Sequence, residues 1–229
     1  MTDSRVTGAI AALELFEGLP GAALDELIAA SRVQTLTRGA RVFDQGESIE
    51  RAHALLSGAV RISQTGSDGG EAVIRFIGPG EIFGSVAIFT DHRYPADATA
   101  MAESVEVSWR RAELLETIER HPRIAINLVG IVGRRLAELQ ERVREMATQR
   151  VERRIANALL RLARQSGTTG DQGTQIAFPL RRRDIADIAG TTLHTVSRTL
   201  NHWRRQGLVI DDSRGVILTS PDALRRATE

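Results

Sequence analysis

Residues 181–209, RRRDIADIAGTTLHTVSRTLNHWRRQGLV, constrain the fold more than any other stretch of the chain. Ile185, Ile188 and Ala189 recur at helical spacing and stop at Gly190, a residue suited to a left-handed turn. Thr192 is placed to cap a second helix, in which Leu193, Val196 and Leu200 share one face with Trp203 close by. His194, Thr195, Ser197 and Arg198 then point away from that face. Two short helices joined by a glycine turn form the helix-turn-helix pattern, whose second helix enters the DNA major groove. Residues 207–210, a polar turn over 211–215, and residues 216–218 read as a β-hairpin, the wing.

Charge is distributed to match. All 30 basic residues are arginine, and the formal net charge is only +1. Residues 147–229 nevertheless carry +6 and residues 1–146 carry −5. A basic module joined to an acidic one suits a polyanion-binding part attached to a part that must not bind it. There is no cysteine, which excludes disulfides, thiolate zinc sites and cysteine-ligated iron–sulfur clusters. No apolar run approaches the length of a membrane span, and no basic-then-apolar signal pattern opens the chain. The expectation is a cytoplasmic protein with no membrane partner.

Apolar residues at helical spacing flank Leu19-Pro20-Gly21, with Leu13 and Phe16 before it and Leu24, Leu27 and Ile28 after, predicting two short helices over residues 10–31. From Val33 to Gly84 short apolar runs alternate with glycines, and further strands are expected over 96–102 and 105–109. Strands of four to six residues with turn signals every ten or so predict a small antiparallel barrel or roll. Helix returns at Arg111, breaks near His121-Pro122 and resumes from Arg123 to about Thr148. Another helix is expected over 150–164, then a loop over 165–175.

Within the long helix, Val129, Val132, Leu136, Leu139, Val143 and Met146 recur at alternating spacings of three and four. That is the a/d seam of a two-helix coiled coil and predicts a homodimer. Ile124, Leu128 and Ile131 form a second stripe, available to pack on the roll. Arg150 falls at the next a position, so the helix is expected to stop or bend over 147–150. The reading is an α+β chain: an antiparallel β-roll sensor over 1–122, a dimerisation helix over 123–149, and a winged helix-turn-helix over 150–229.

This order of parts resembles the CRP/FNR superfamily of bacterial transcription regulators. The resemblance rests on Gly39-Ala-Arg-Val-Phe-Asp-Gln-Gly46, Leu56-Ser-Gly-Ala-Val60, Gly78-Pro-Gly-Glu-Ile-Phe-Gly84, Ile185-Ala-Asp-Ile-Ala-Gly190 and Thr195-Val-Ser-Arg198. It implies a dimer that regulates transcription from a roughly palindromic operator, with RNA polymerase as a further partner. An effector in the roll would shift the dimer helices, and so the spacing of recognition helices that must meet major grooves about 34 Å apart.

The resemblance places an effector pocket at Phe83, Gly84, Ser85, Val86, Tyr94, Pro95, Ala96, Leu136, Leu139 and Gln140. Cyclic-nucleotide-binding members carry a glutamate for the ribose and an arginine–serine pair for the phosphate. Those positions here hold Ser85 and Pro95-Ala96, and Leu139 and Gln140 stand where such members place polar contacts. A cyclic phosphate buried there would go unpaired, at a cost of several kcal/mol. An apolar or flat ligand suits the pocket better than cyclic AMP.

The run Phe89-Thr-Asp-His-Arg-Tyr-Pro-Ala-Asp-Ala98 and the run Gly190-Thr-Thr-Leu-His-Thr-Val-Ser-Arg198 look most like the nitrogen-oxide-responsive branch. That likeness implies nitric oxide sensing through haem, with iron held by one of His53, His92, His121, His194 or His202. None of the five is singled out by the sequence. Two other classes remain: an effector-independent DNA-binding dimer with a degenerate roll, and a β-barrel metal enzyme. The second lacks its ligand set, since residues 33–109 contain no H-x-[DE] or H-x-x-x-H spacing.

For DNA, the expected base-reading and positioning residues are Thr192, His194, Thr195, Ser197 and Arg198. Arg198 matches an arginine of the family motif, whereas His194 stands where many relatives carry glutamate. Arg181 replaces the hydroxyl residue that commonly caps the first helix, and with Arg182 and Arg183 it is expected to grip phosphate.

Overall fold

The computed structural model describes residues 4–89, 93–212 and 215–228. The chain opens with helix α1 (Ser4–Ala11), a 3-10 turn (Glu14–Phe16) and α2 (Gly21–Ala30). Strands β1 (Arg32–Leu36), β2 (Arg41–Phe43), β3 (Arg51–Ser57), β4 (Val60–Thr65), β5 (Glu71–Ile77) and β6 (Ile82–Phe83) follow. After a 3-10 turn (Val86–Phe89) come β7 (Asp97–Ala100) and β8 (Ser104–Arg110). Helices α3 (Arg111–Arg120), α4 (Arg123–Thr148) and α5 (Val151–Ser166) lead to β9 (Gly167–Gly170) and β10 (Gly173–Ile176). The C-terminal part holds α6 (Arg182–Ala189), α7 (Leu193–Arg205), β11 (Val209–Asp212), β12 (Gly215–Leu218) and α8 (Pro221–Ala227).

Two compact units emerge. One comprises the described residues up to Val60 together with Ile77–Leu139, the other Arg61–Phe76 and Gln140 onward. The hairpin arm of the roll therefore groups with the C-terminal unit, a division that hydropathy along the chain does not signal.

In the first unit, β1, β8, β3 and β6 form one antiparallel sheet, and β2 pairs antiparallel with β7. Trp109 anchors the core: its indole N–H donates to the Leu27 carbonyl at 2.7 Å, and the Phe16 ring meets it edge-on at 5.1 Å. Each fully buried side chain of this size is worth about 1.5–3 kcal/mol. At Gly58, with φ of +88°, a Cβ would strike the Ser104 side chain and backbone. Only glycine fits there.

Helix α4 carries both expected stripes. Ile124, Leu128 and Ile131 are buried, and the Asn127 amide donates to the Leu15 and Glu17 carbonyls, tying the helix to the N-terminal segment. The helix ends at Thr148, and Arg150 has extended backbone before α5 starts at Val151. The break thus falls where the seam runs out.

The second unit differs from the sequence reading in two ways. Residues 165–175, expected as a loop, form the end of α5 and the hairpin β9–β10, which extends the wing into a sheet of order β11-β12-β10-β9. Glycine content suggested a loop, but Gly173 (φ +123°) makes the turn while the threonines between the glycines favour strand. A final helix, α8, starts at a Ser220 cap followed by Pro221, a start signal that went unread. In the first unit, the first helix lies further toward the N-terminus than residues 10–31. Of the polar turn expected over 211–215, Ser213 and Arg214 lie outside the described residues.

Candidate nucleic-acid interface and roll interior

Gly190 ends α6 in the left-handed region (φ 61°, ψ 50°), and the Thr191 amide bonds back to the Ala186 carbonyl at 2.9 Å. The Arg154 guanidinium from α5 donates to the Ala189 and Gly190 carbonyls at 2.9 and 3.0 Å, neutralising the exposed helix end. The Thr192 hydroxyl caps α7, accepting from the Thr195 amide at 3.2 Å and lying 3.0 Å from the Thr195 hydroxyl.

Helix α7 buries Val196, Thr199, Leu200 and Trp203. Leu193, expected on that face, is 48% exposed. It is the first residue of the helix, a turn before the packed contacts begin. Outward from α7 stand exposed Thr192, His194 and Arg198, with Thr195 and Ser197 half-buried. His202, Arg204 and Arg205 complement the dipole at its far end.

The three arginines at the head of α6 have separate fates. Arg182 is forked onto Asp211 of the wing strand β11, with contacts of 3.2 and 2.6 Å. Arg183 pairs with Asp187 at 3.2 Å but remains largely exposed. Arg181 is exposed and makes no ion pair among the described residues, while its backbone N–H donates to Asp184 Oδ2 at 3.0 Å. Arg181 is thus the least committed of the three to other protein groups.

Asp184, unnoticed in the sequence reading, is a buried acid of this unit at 2% exposure. Burial pushes its carboxyl above the ordinary carboxylate range, opposed by the Arg181 amide and the Arg61 guanidinium. Its signal was legible: an acid three residues after the helix cap is half of a capping box. Arg61 and the β4–β5 hairpin meet α6 again where the Val73 amide donates to Asp187 at 3.4 Å. Arg142 of α4 donates to the Ile74 and Ile188 carbonyls, and Phe76 lies 4.8 Å from Phe178. Glu145, also missed, is buried on α4 and accepts from Arg161 at 2.9 and 3.0 Å and from Asn157 at 2.8 Å.

Inside the roll the expected pocket residues separate. Phe83, Ser85, Tyr94 and Ala96 are buried, Gly84 is half-buried and Pro95 is exposed. Leu136, Leu139 and Gln140 lie on exposed faces of α4, and the Val86 side chain lies outside what is described. The Tyr94 ring stacks on Phe43 at 3.8 Å, and His53 lies 5.3 Å from Phe83. A Cβ on Gly84 would come within 3.0–3.2 Å of Tyr94, Phe43 and His53, so the turn presses directly on this cluster.

The cluster carries a buried polar chain. Glu106 Oε1 is 2.6 Å from His53 Nδ1, His53 Nε2 is 3.1 Å from the Tyr94 hydroxyl, and that hydroxyl donates to the Arg51 carbonyl at 2.9 Å. Burial pushes the Tyr94 hydroxyl up to about 12, so it stays protonated. The Ser85 hydroxyl is buried without a hydrogen-bond partner among the described residues. An open cavity of about 420 Å³ lies against the cluster, lined by Val42, Phe43, Glu47, Ser48, Glu50, Arg51, His53 and Tyr94. Its Arg51 guanidinium is occupied by Ser108, through bonds of 2.9 Å to both hydroxyl and carbonyl, leaving Glu47 and Glu50 to repel an anion.

A roll joined through a long helix to a winged helix-turn-helix defines a DNA-binding transcription regulator with an effector-type domain. The family described as Cyclic nucleotide-binding domain matches residues 33–121, and that described as Crp-like helix-turn-helix domain matches residues 153–227. The nitrogen fixation regulation protein FixK of Azorhizobium caulinodans is 34% identical over 191 residues, covering 82% of this chain and 76% of FixK. A CRP-like cAMP-activated global transcriptional regulator of Mycobacterium tuberculosis is 27% identical over 93% of this chain and 95% of its own length. The solved structure of FixK2 from Bradyrhizobium japonicum shares the fold, with a TM-score of 0.75 at 24% identity over 87% of this chain and 98% of that one. This chain belongs to the CRP/FNR family of transcription regulators.

Proposed function

We propose that the chain works as a homodimer, in the cytoplasm, on a roughly palindromic operator, without catalysing a reaction, and that its roll answers to an effector other than cyclic AMP. The dimer rests on the seam. Val129, Val132, Leu136, Leu139, Val143 and Met146 are between 37% and 72% exposed along one side of α4, while the opposite stripe is buried. Burying such a side chain against a second copy gains up to about 1.5–3 kcal/mol. Sedimentation of the full chain tests this, with a dimer expected at micromolar concentration.

Against cyclic AMP stand Ser85 and Ala96, buried where the resemblance calls for an acid and half of an arginine–serine pair. Calorimetric titration with cyclic AMP is expected to give no saturable heat. Contact with RNA polymerase belongs to this proposal and is tested by transcription from an operator-bearing template.

Haem, as the carrier of nitric oxide sensing, is not supported by the described histidines. Both nitrogens of His53 are in hydrogen bonds, and His194 and His202 are exposed on α7. His121 caps α3, and His92 lies outside the described residues. An absorption band that forms with haem and shifts with nitric oxide would restore that reading.

The packing of Gly84 onto the Phe43–Tyr94 stack favours a second reading, a roll that takes no effector. Equal operator affinity with and without a small-molecule cell extract would select it.

A further inference from the structure

We infer that an arginine-lined cavity at one end of the β1-β8-β3 sheet binds a short oligophosphate, free or as the phosphate chain of a nucleotide. The inference does not depend on what the roll interior binds.

Antiparallel pairing brings the arginines together. Arg32 opens β1, Arg51 opens β3, and Arg110 closes β8, the strand between them. Arg51 pairs directly across from Arg110, and Arg32 pairs with Ser108, two residues earlier on β8. Cross-strand partners and residues two apart share one side of a sheet, so the three side chains stand together. The 2.9 Å bond from Arg51 Nε to the Ser108 hydroxyl agrees with that placement. Arg111, the first residue of α3, completes a group that lines an open cavity of about 620 Å³.

Like charges opposed across a ladder destabilise a sheet. Arg32, Arg51 and Arg110 make no ion pair among the described residues to offset that cost. Glu50, shared with the cavity at Tyr94, is the only acid in the described lining. Four elements thus each contribute one guanidinium to a single cavity, within a sequence half whose formal charge is −5. Scattered surface arginines need no partner, but arginines converging on one cavity are a receptor for an anion.

The donors select the kind of anion. Arg51 is held on Ser108 through Nε and Nη2, so it adds fixed charge and Nη1. Arg32 and Arg110 are exposed, with no side-chain hydrogen bond among the described residues. Each can fork onto the oxygens of one phosphate through parallel hydrogen bonds. Two forks with further charge beside them suit linked phosphates better than a single carboxylate. Ile49 is buried and Ala112 is small, so the lining has no aromatic platform or apolar slot for a base. Recognition falls on the phosphate chain.

The full chain is titrated calorimetrically with tripolyphosphate, ATP, GTP and citrate, at low ionic strength and without divalent cations. Tripolyphosphate is expected to bind, and the double variant Arg32→Gln with Arg110→Gln to weaken it at least tenfold. Neither arginine holds another group, so the double variant is expected to melt at or above the wild-type temperature. Each single variant, expected to weaken binding about threefold, carries the test should the double variant unfold. Arg181→Ala and Arg198→Ala, in the other unit, are expected to leave the affinity unchanged. ATP and GTP that bind alike identify a nucleotide's chain as a ligand, and tripolyphosphate binding without them identifies free oligophosphate; both support the inference. Absence of tripolyphosphate binding, citrate binding as tightly, ATP and GTP more than about tenfold apart, or binding retained without Arg32 and Arg110 overturns it.

Discussion

Arg61 Nη1 on β4 stands 3.6 Å from Asp184 Oδ1 on α6, joining the β4–β5 hairpin to the first helix of the DNA-reading motif. Arg61 also holds Glu71 at 3.1 Å, but Asp184 has no other cation within ion-pair distance among the described residues. Replacing Arg61 by alanine should therefore strand a carboxylate that is 2% exposed. The expected loss is about 1–3 kcal/mol. The two tryptophans report on separate units, Trp109 on the first and Trp203 on the second. In a Trp109→Phe background, urea unfolding followed through Trp203 should show the loss, and amide exchange in α6 should quicken.

The same carboxyl predicts a pH dependence. Burial holds Asp184 above its unfolded value, so ionising it costs the folded state free energy. The associated stability is fully present below the unfolded value near 3.9 and is lost as pH rises through the raised folded value. Asp184→Asn keeps an acceptor for the Arg181 amide but cannot ionise. Relative to the wild type, its melting temperature should therefore be more favourable at pH 7 than at pH 4. A difference independent of pH would show that Asp184 titrates as an ordinary carboxylate.

Leu139 tests the seam. It is half exposed in the single chain, so Leu139→Asp should leave the protomer folded. In a dimer the change would face two carboxylates across an apolar contact, weakening association at least a hundredfold through desolvation and repulsion. Sedimentation should then show monomers with unchanged circular dichroism. An intact dimer would mean that the six-residue stripe serves another partner.

Periodicity made α2 to α7 and both stripes of α4 legible, because burial repeats every three or four residues whatever lies opposite. Arg150 likewise marked the helix break by interrupting an apolar register. Pairings between residues far apart in sequence were not legible. Nothing near Arg61 announces Asp184, and nothing near Arg182 announces Asp211, since each pair forms only when the chain folds back. Leu193 failed for a different reason: a periodic apolar position at a helix end need not reach the core. The sequence reading expected an apolar pocket in the roll and did not foresee the His53–Glu106–Tyr94 chain, which needs residues of separate strands and loops brought together.

The sharpest division of roles lies among the arginines. Arg198 is exposed on the reading face of α7 and can fork onto guanine O6 and N7, worth about 1–3 kcal/mol of discrimination. Arg181 is exposed at the head of α6 without an ion pair among the described residues, which suits a phosphate contact. Arg182 is instead held by Asp211, so its loss should loosen the wing before it touches DNA. Arg198→Ala should accordingly flatten preference at one base pair of each half-site. Arg181→Ala should weaken all sequences alike and reduce the slope of log affinity against log salt by about one per protomer. Binding across single-base operator variants at two salt concentrations separates these outcomes. An unchanged base-preference profile in Arg198→Ala would remove α7 from the major groove.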